Sequence, residues 1–251
     1  MRSSFKIYVP VLDEENLIEY TLEALLKVFL PEQIEVIDLG STDSTLARIP
    51  SSLVVHHVTL PTEEPGRYFT ELKDSFSKRQ EWVLWVDGDE IYPTSVLRHI
   101  KYWLNSSPEE KSMRVYWRIL DKRQDGMYCS REYLSAGPKL FNSRYFGFRR
   151  AWPKEVIYPL TEEVKAGEKW EFTGVWFWHG VLLDRSNVLQ TVRKEKADNK
   201  HEKYMKYLTW EKLQSTPWEA GYASLPTREW TVINMSKSKE GTLDTKWSGV
   251  L

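Results

Sequence analysis

The sequence predicts an α/β fold with a mostly parallel central sheet flanked by helices, and three observations carry that reading. Strand-like apolar runs and amphipathic helical stretches alternate as β-α-β-α-β-α-β over the first ninety residues, the pattern of a parallel sheet with crossover helices. The run Trp82-Val83-Leu84-Trp85-Val86 has no polar break, which suits a strand buried on both faces. It stops at Asp87-Gly88-Asp89-Glu90, and open α/β sheets bind ligands beyond the carboxyl ends of such strands.

Taken in order, Lys6 to Leu12 reads as the first strand, ended by Pro10 and the acids Asp13, Glu14 and Glu15. A helix follows with Ile18, Leu22, Leu25, Leu26 and Phe29 on one stripe and acids in its first turn, and Pro31 stops it. Ile34 to Leu39 is a second strand that runs into Gly40-Ser41-Thr42-Asp43-Ser44-Thr45. That cluster has loop and helix-cap chemistry, leaving Thr45 to Ile49 room for a short helix only. Leu53 to Leu60 is the third strand; His56 and His57 point to opposite faces of it and make a poor metal site. Pro61 to Gly66 is a loop, and Tyr68 to Arg79 is the helix that leads into the central strand. After the acidic turn, Pro93-Thr94-Ser95 opens a helix with Val96, Leu97, Ile100 and Leu104 inward.

The second half has a different texture. Met113 to Leu120 and Met127 to Tyr133 read as antiparallel strands around a turn at Asp125-Gly126. A Gly/Pro/aromatic region spans Ala136 to Pro159, and Glu171 to Gly180 is an aromatic strand that ends in His179. Ser186 to about Leu213 is a lysine-rich helical stretch, with eight basic residues against four acids from Arg185 to Lys212. A solvated helix face accounts for that excess; a peripheral contact with an anionic acceptor or a membrane surface is the other reading. Thr216 to Leu251 is polar with isolated aromatics, an extended tail.

Bulk properties bound the function. A chain of 251 residues with 41% hydrophobic content forms one large domain, or a domain with an appendage. The net charge of −1 makes no case for nucleic acid as a partner. One cysteine, Cys129, excludes an internal disulfide framework and a multi-cysteine zinc site, and fits a cytoplasmic setting. The first strand begins too early for a signal peptide, and no apolar run reaches the ~18 residues of a transmembrane helix. Twelve tryptophans are the unusual count. Trp82, Trp85 and Trp103 fall in core patterns, whereas Trp152, Trp170, Trp176, Trp178, Trp230 and Trp247 include candidates for a sugar-stacking surface.

The chemistry concentrates at Asp87 and Asp89. Gly88 lets the chain turn sharply, so both carboxylates can face one volume, where they repel unless a cation is near. A hard ion such as Mg2+ or Mn2+ carried by a diphosphate answers that need. An ordinary acidic turn after a buried strand is the competing reading.

Three segments together resemble the inverting family-two glycosyltransferases with the A-type, Rossmann-like nucleotide-sugar fold. Ile7 to Asn16 is similar to that family's strand ending in proline before an Asn-Glu pair, although here Glu14-Glu15 precede Asn16. Asp38-Leu39-Gly40-Ser41-Thr42-Asp43-Ser44-Thr45 matches the family's Asp-x-Gly-Ser-Thr-Asp-x-Thr, and Asp87-Gly88-Asp89-Glu90 ends the central strand. Farther on, Gly137-Pro138-Lys139-Leu140-Phe141 is similar to a Pro-Arg-Leu-Phe element of bacterial sugar transferases. Trp152-Pro153-Lys154-Glu155 sits where they carry Val-His-Glu. The family's Ala-Arg-Asn before the central strand is missing; Phe69-Thr70-Glu71-Leu72-Lys73 stands there, with Arg67 or Lys73 left to replace the arginine.

The resemblance implies metal-dependent, inverting transfer from a nucleotide-diphosphate donor, a UDP-sugar such as UDP-glucose, to a carbohydrate or other hydroxyl acceptor. It implies a nucleotide-sugar-binding half at 1–92, an acceptor and catalytic half of the same domain at 93–185, and a C-terminal helical extension and tail at 186–251. Pro10 and Val11 would contact the base with Glu14 nearby, and Asp38 would accept the uracil imide N–H. Arg67 is taken with the donor site. Asp87, turned by Gly88, would hold the ribose or donor sugar. Asp89 and His179 would hold Mn2+ or Mg2+. Glu155 is the candidate general base, with Glu162, Glu163 and Glu90 as rivals. A nucleotidyltransferase acting on sugar phosphates is the first alternative, but it calls for a glycine-rich basic loop after the first strand, and Pro10 to Asn16 is acidic without glycine. A non-catalytic carbohydrate-binding protein is the second, and it leaves the paired aspartates unexplained.

Overall fold

Strand β1 (Phe5–Val11) is flanked on both sides by parallel partners, β2 (Ile34–Asp38) and, after β3 (Val54–His57) and the helices α1 (Ile18–Leu26) and α2 (Pro65–Ser77), β4 (Trp82–Trp85). The structure is a computed structural model and describes residues 4–106, 111–124, 126–130, 133–149, 156–160, 175–180, 210–212, 230–233 and 248–249. The parallel strands lie in the order β3-β2-β1-β4. Register sets Val11 opposite Asp38 and Tyr8 opposite Trp85, so the carboxyl ends of β1, β2 and β4 share one edge.

Side-chain alternation along these strands divides the core into two layers. Ile7, Val9, Val11, Trp82 and Leu84 face one side, with Ile18, Leu22 and Leu25 of α1. Tyr8, Ile37, Val83 and Trp85 face the other, with Phe69 and Phe76 of α2. Helix α1 buries the predicted stripe through Phe29, with Leu26 partly covered. Helix α2 begins at Pro65, inside the expected loop, because proline suits the first helical position. The third strand ends at His57 instead of Leu60, and a 3₁₀ turn at Leu46–Arg48 takes the place of the expected short helix.

Beyond the acidic turn come a two-residue strand, β5 (Glu90–Ile91), and α3 (Thr94–Asn105), which buries Val96, Leu97 and Ile100. The sheet then continues antiparallel through β6 (Ser112–Arg123), β7 (Gly126–Ser130) and β8 (Tyr133–Asn142). Strand β8 pairs with β4 on one side and β6 on the other. The expected strand Met127 to Tyr133 is two strands, since β7 stops at Ser130 and β8 starts at Tyr133. The Gly/Pro-rich region is also more regular than expected. Pro138 lies in β8 opposite Arg114, where the β6–β8 register shifts and the ladder tolerates a residue without an N–H. Next, β9 (Phe146–Arg149) and β10 (Val156–Pro159) pair as a separate antiparallel ribbon.

Strand β11 (Trp176–His179) inserts between β5 and β6, antiparallel to the first and parallel to the second. Within the stretch expected to be helical, Trp210–Lys212 is instead a strand, β12, paired antiparallel with β7. An open edge with unpaired backbone groups and a β-favouring tryptophan accounts for that difference; the rest of that stretch lies outside the described residues. In the expected tail, Trp230–Ile233 (β13) pairs with β8 and Ser248–Gly249 (β14) pairs with β13. The fold is α/β, with a parallel helix-flanked half and a smaller antiparallel part. No helix among the described residues is long and apolar enough to cross a membrane.

Candidate active site

The turn after β4 is seated directly on the end of β1. The Gly88 amide donates to the Pro10 carbonyl at 3.1 Å, and the Gly88 carbonyl accepts from Thr21 Oγ1 at 2.9 Å. A Cβ at position 88 would meet Val11 Cγ1 at 3.0 Å, Glu14 Cγ at 3.1 Å and the Pro10 carbonyl at 3.4 Å. Close approach, more than turn geometry, is why glycine stands there. Pro10, Val11 and Glu14 therefore lie against the acidic turn, with Glu14 buried and its amide donating to Thr45 Oγ1 at 2.7 Å.

The loop after β2 is laced to the loop after β1. Asp13, with φ at 54°, accepts the Thr42 amide at 2.7 Å on Oδ1, while its own amide donates to Ser41 Oγ at 3.1 Å. The Ser44 amide donates to Glu15 Oε2 at 3.1 Å. Asp38, buried at the end of β2, accepts the Ser41 amide on Oδ1 at 2.9 Å, and its Oδ2 lies 3.4 Å from His57 Nδ1. One oxygen thus closes the turn and the other lies beside His57. His56 and His57 serve different carboxylates, His56 meeting Glu35 at 2.8 Å.

Asp87 and Glu90 surround an ammonium contributed by the antiparallel half. Lys139 Nζ donates to Asp87 Oδ2 at 2.9 Å and to Glu90 Oε1, and it lies 5.3 Å from the centre of the Phe177 ring. Burial alone would lower the Lys139 ammonium, but the Asp87 carboxylate beside it and its hydrogen bonds to Asp87 and Glu90 hold its pKa above the usual lysine range. Close packing would raise the Asp87 carboxyl, yet Lys139 and then Lys73 outweigh that effect and lower it. Burial raises Glu90 well above the ordinary carboxylate range. Glu90 is 2% exposed and tied to Lys139.

The two candidates for the missing arginine separate cleanly. Arg67 is 69% exposed and pairs with Glu71 at 2.9 Å and Glu64 at 3.7 Å along α2. Lys73 is buried among the rings of Phe69, Trp85 and Phe148, at 4.5, 5.2 and 5.5 Å, with its charge felt by Asp87. Lys73 thus acts electrostatically on Asp87, while Arg67 pairs with acids of its own helix.

Asp89 is buried, and its Oδ2 lies 3.2 Å from His179 Nε2, whose ring stacks on Trp117 at 4.1 Å. Backbone pairing produces this meeting. His179 is in register with Glu90, and the Gly180 amide donates to the Asp89 carbonyl at 2.9 Å. Two cis ligand atoms each about 2.1 Å from an octahedral ion are ~3 Å apart, so this oxygen–nitrogen pair has the spacing of a hard-cation edge as well as of a hydrogen bond. Among the described residues no group of three His, Cys, Asp or Glu side chains forms a metal cluster. The remaining positions would fall to water and phosphate oxygens, as magnesium commonly arranges.

Glu155, Glu162 and Glu163 lie outside the described residues, as do Trp152, Trp170 and Trp247. Two residues at the site were not singled out for a role from sequence. Asp13 had a signal in its place directly after β1, since aspartate is one of the few side chains that tolerate positive φ. Lys139 sat inside a quoted motif, but nothing local showed that β8 would bring it to the acidic turn.

No family model matches the chain, and no curated protein matches it. Solved structures share part of the fold at low similarity. A mycobacterial protein is 20% identical with a TM-score of 0.37, over 47% of this chain and 41% of that one. S. aureus TarS is 24% identical with a TM-score of 0.33, over 49% of this chain and 22% of that one. Glucosyl-3-phosphoglycerate synthase from Mycobacterium tuberculosis, solved in complex with Mg2+ and uridine diphosphate, is 22% identical with a TM-score of 0.36, over 47% and 44%. The chain spans less than half the length of each of these structures, and likeness of this degree says nothing about substrate or mechanism.

Proposed function

We propose that the chain is a metal-dependent, inverting glycosyltransferase that moves a sugar from a UDP-sugar such as UDP-glucose to an acceptor hydroxyl. The observation that carries this reading is the meeting of Asp89 and His179 at 3.2 Å on the sheet edge where β1, β2 and β4 end. An oxygen–nitrogen pair at a carboxyl-end crevice suits a cation-borne diphosphate, and the laced loops after β1 and β2 suit a nucleoside beside it.

In this scheme Asp38 takes the uracil imide N–H on Oδ2, the oxygen not spent on Ser41, with Pro10 and Val11 alongside. Asp87 takes a hydroxyl of the ribose or donor sugar. Asp89 and His179 would hold Mn2+ or Mg2+, which supplies neutralisation of the departing diphosphate. Lys73 adds positive charge from beneath the turn. Glu155 is proposed as the base that removes the acceptor proton as the hydroxyl attacks opposite the leaving group.

Calorimetric titration of UDP with and without Mn2+, followed by NMR of the product formed from UDP-glucose, tests the reading. Mn2+-dependent UDP binding and an inverted anomeric centre are expected. Absence of UDP binding removes the donor assignment, and retained configuration removes the displacement scheme.

A further inference from the structure

The quoted motif Gly137 to Phe141 has no role in the scheme above, yet its lysine reaches the acidic turn. Asp87 is held at two points. Its amide donates to Glu90 Oε2 at 3.2 Å, and its side-chain Oδ2 accepts Lys139 Nζ at 2.9 Å. Lys139 also donates to Glu90 Oε1, so Glu90 joins the backbone hold to the side-chain hold in one closed ring. Strand pairing fixes the ring from beneath, since β8 runs antiparallel to β4 with Leu140 opposite Leu84. The Asp87 side chain is 40% exposed, and its Oδ1 accepts no hydrogen bond among the described residues. Glu90 and Lys139, by contrast, are 2% and 14% exposed.

We infer that Lys139, anchored by Glu90, is a positioning residue that aims Asp87 so that Oδ1 alone is presented to a ribose hydroxyl of the donor nucleotide. This rests on the donor reading proposed above. The ammonium occupies one carboxylate oxygen and cancels part of the turn's charge, while Glu90 prevents it from swinging toward solvent or toward the diphosphate. Lys139 thus acts on the donor through Asp87 and makes no contact of its own.

A double-mutant cycle on UDP affinity with Mn2+ tests this, using Lys139→Met, Asp87→Ala and the pair, with folding followed by thermal melting. Each single change is expected to weaken UDP by roughly 10- to 100-fold, the scale of a hydrogen bond to a charged group. The pair is expected to be no weaker than Asp87→Ala alone, and Lys139→Arg is expected to restore most of the affinity. Additive losses would show that Lys139 touches the ligand directly, and an unchanged affinity in Lys139→Met would show that it does nothing for binding; either overturns the inference. Should Lys139→Met fail to fold, Glu90→Ala, which removes both bonds that Glu90 accepts, replaces it, with the pair again expected to be no weaker than Asp87→Ala alone. A wild-type chain that binds no UDP defeats the donor reading itself, which separates that failure from the failure of the clamp.

Discussion

Asp13 Oδ1 accepts the Thr42 amide at 2.7 Å from a backbone in the left-handed region. The same oxygen is within 3.3 Å of Thr42 Oγ1 and 3.4 Å of the Asp43 amide, so one side chain organises the loop after β2. Asp13→Ala loses these bonds and places a residue poorly suited to positive φ. It is expected to cost about 1–3 kcal/mol in denaturant unfolding and to weaken UDP. Asp13→Asn, which tolerates the conformation and keeps an acceptor, should lose less; equal losses would show that the bonds contribute little.

Gly88→Ala tests the seating of the acidic turn. The new Cβ would lie 3.0 Å from Val11 Cγ1, and Val11 is buried, so its surroundings would have to give. Overpacking of this kind costs about 1–3 kcal/mol, so a lower melting temperature and weakened UDP binding are expected. A variant as stable as the parent would mean that the β1 end moves freely.

For the cation, Asp89→Asn is the informative change. Its backbone carbonyl still accepts the Gly180 amide, so β11 should stay docked. UDP should then bind equally with and without Mn2+. Persistence of a Mn2+ effect in the variant would take Asp89 out of the cation site.

Arg67 and Lys73 should part company. Arg67→Ala removes an exposed pair of little worth, so stability should stay within about 0.5 kcal/mol and UDP affinity should not change. Lys73→Met keeps a flexible apolar chain among the three rings while deleting the charge near Asp87. Stability should hold or rise and UDP affinity should fall. The reverse pattern would return the donor role to Arg67.

Away from the site, Glu35 joins three strands, accepting Lys6 Nζ at 2.6 Å and meeting His56 Nε2 at 2.8 Å. Burial opposes its charge, but the bonds from Lys6 and His56 outweigh burial and lower its pKa below 4.5. A lowered folded pKa contributes stability that is present above the unfolded value and lost as pH falls through the folded one. Melting temperature should therefore drop more steeply below about pH 4.5 in the parent than in Glu35→Gln. Parallel curves would deny Glu35 that part.

What could be read from the sequence was what local pattern determines. The unbroken run before Asp87, the stripe of α1 and the acid-rich ends of β1 and β2 each follow from residues close in the chain, and they placed the sheet edge where β1, β2 and β4 end. Arg67 against Lys73 was also readable in principle. Phe69, Thr70, Lys73, Phe76 and Ser77 are the buried positions of α2 and share one helical face, from which Arg67 is absent. The Lys139 clamp was out of reach because it depends on which strand pairs with β4. Two-residue β5 was out of reach because nothing so short carries a period. Trp210–Lys212 misled through its lysine-rich surroundings, where the open edge of β7 outweighed helical propensity.

Strand β11 has a consequence for how the protein can be assembled. It brings His179 to Asp89 by pairing with a two-residue strand from a distant part of the chain, so this meeting belongs to a long-range contact. Closing so long a loop costs entropy that local helices and the β1–β2 pair do not incur, which slows formation of such contacts. The edge where β1, β2 and β4 end can therefore be native while Asp89 and His179 are still apart, and refolding in two kinetic stages is expected. A stopped-flow experiment that follows UDP binding and Mn2+ binding separately would see the first recover ahead of the second.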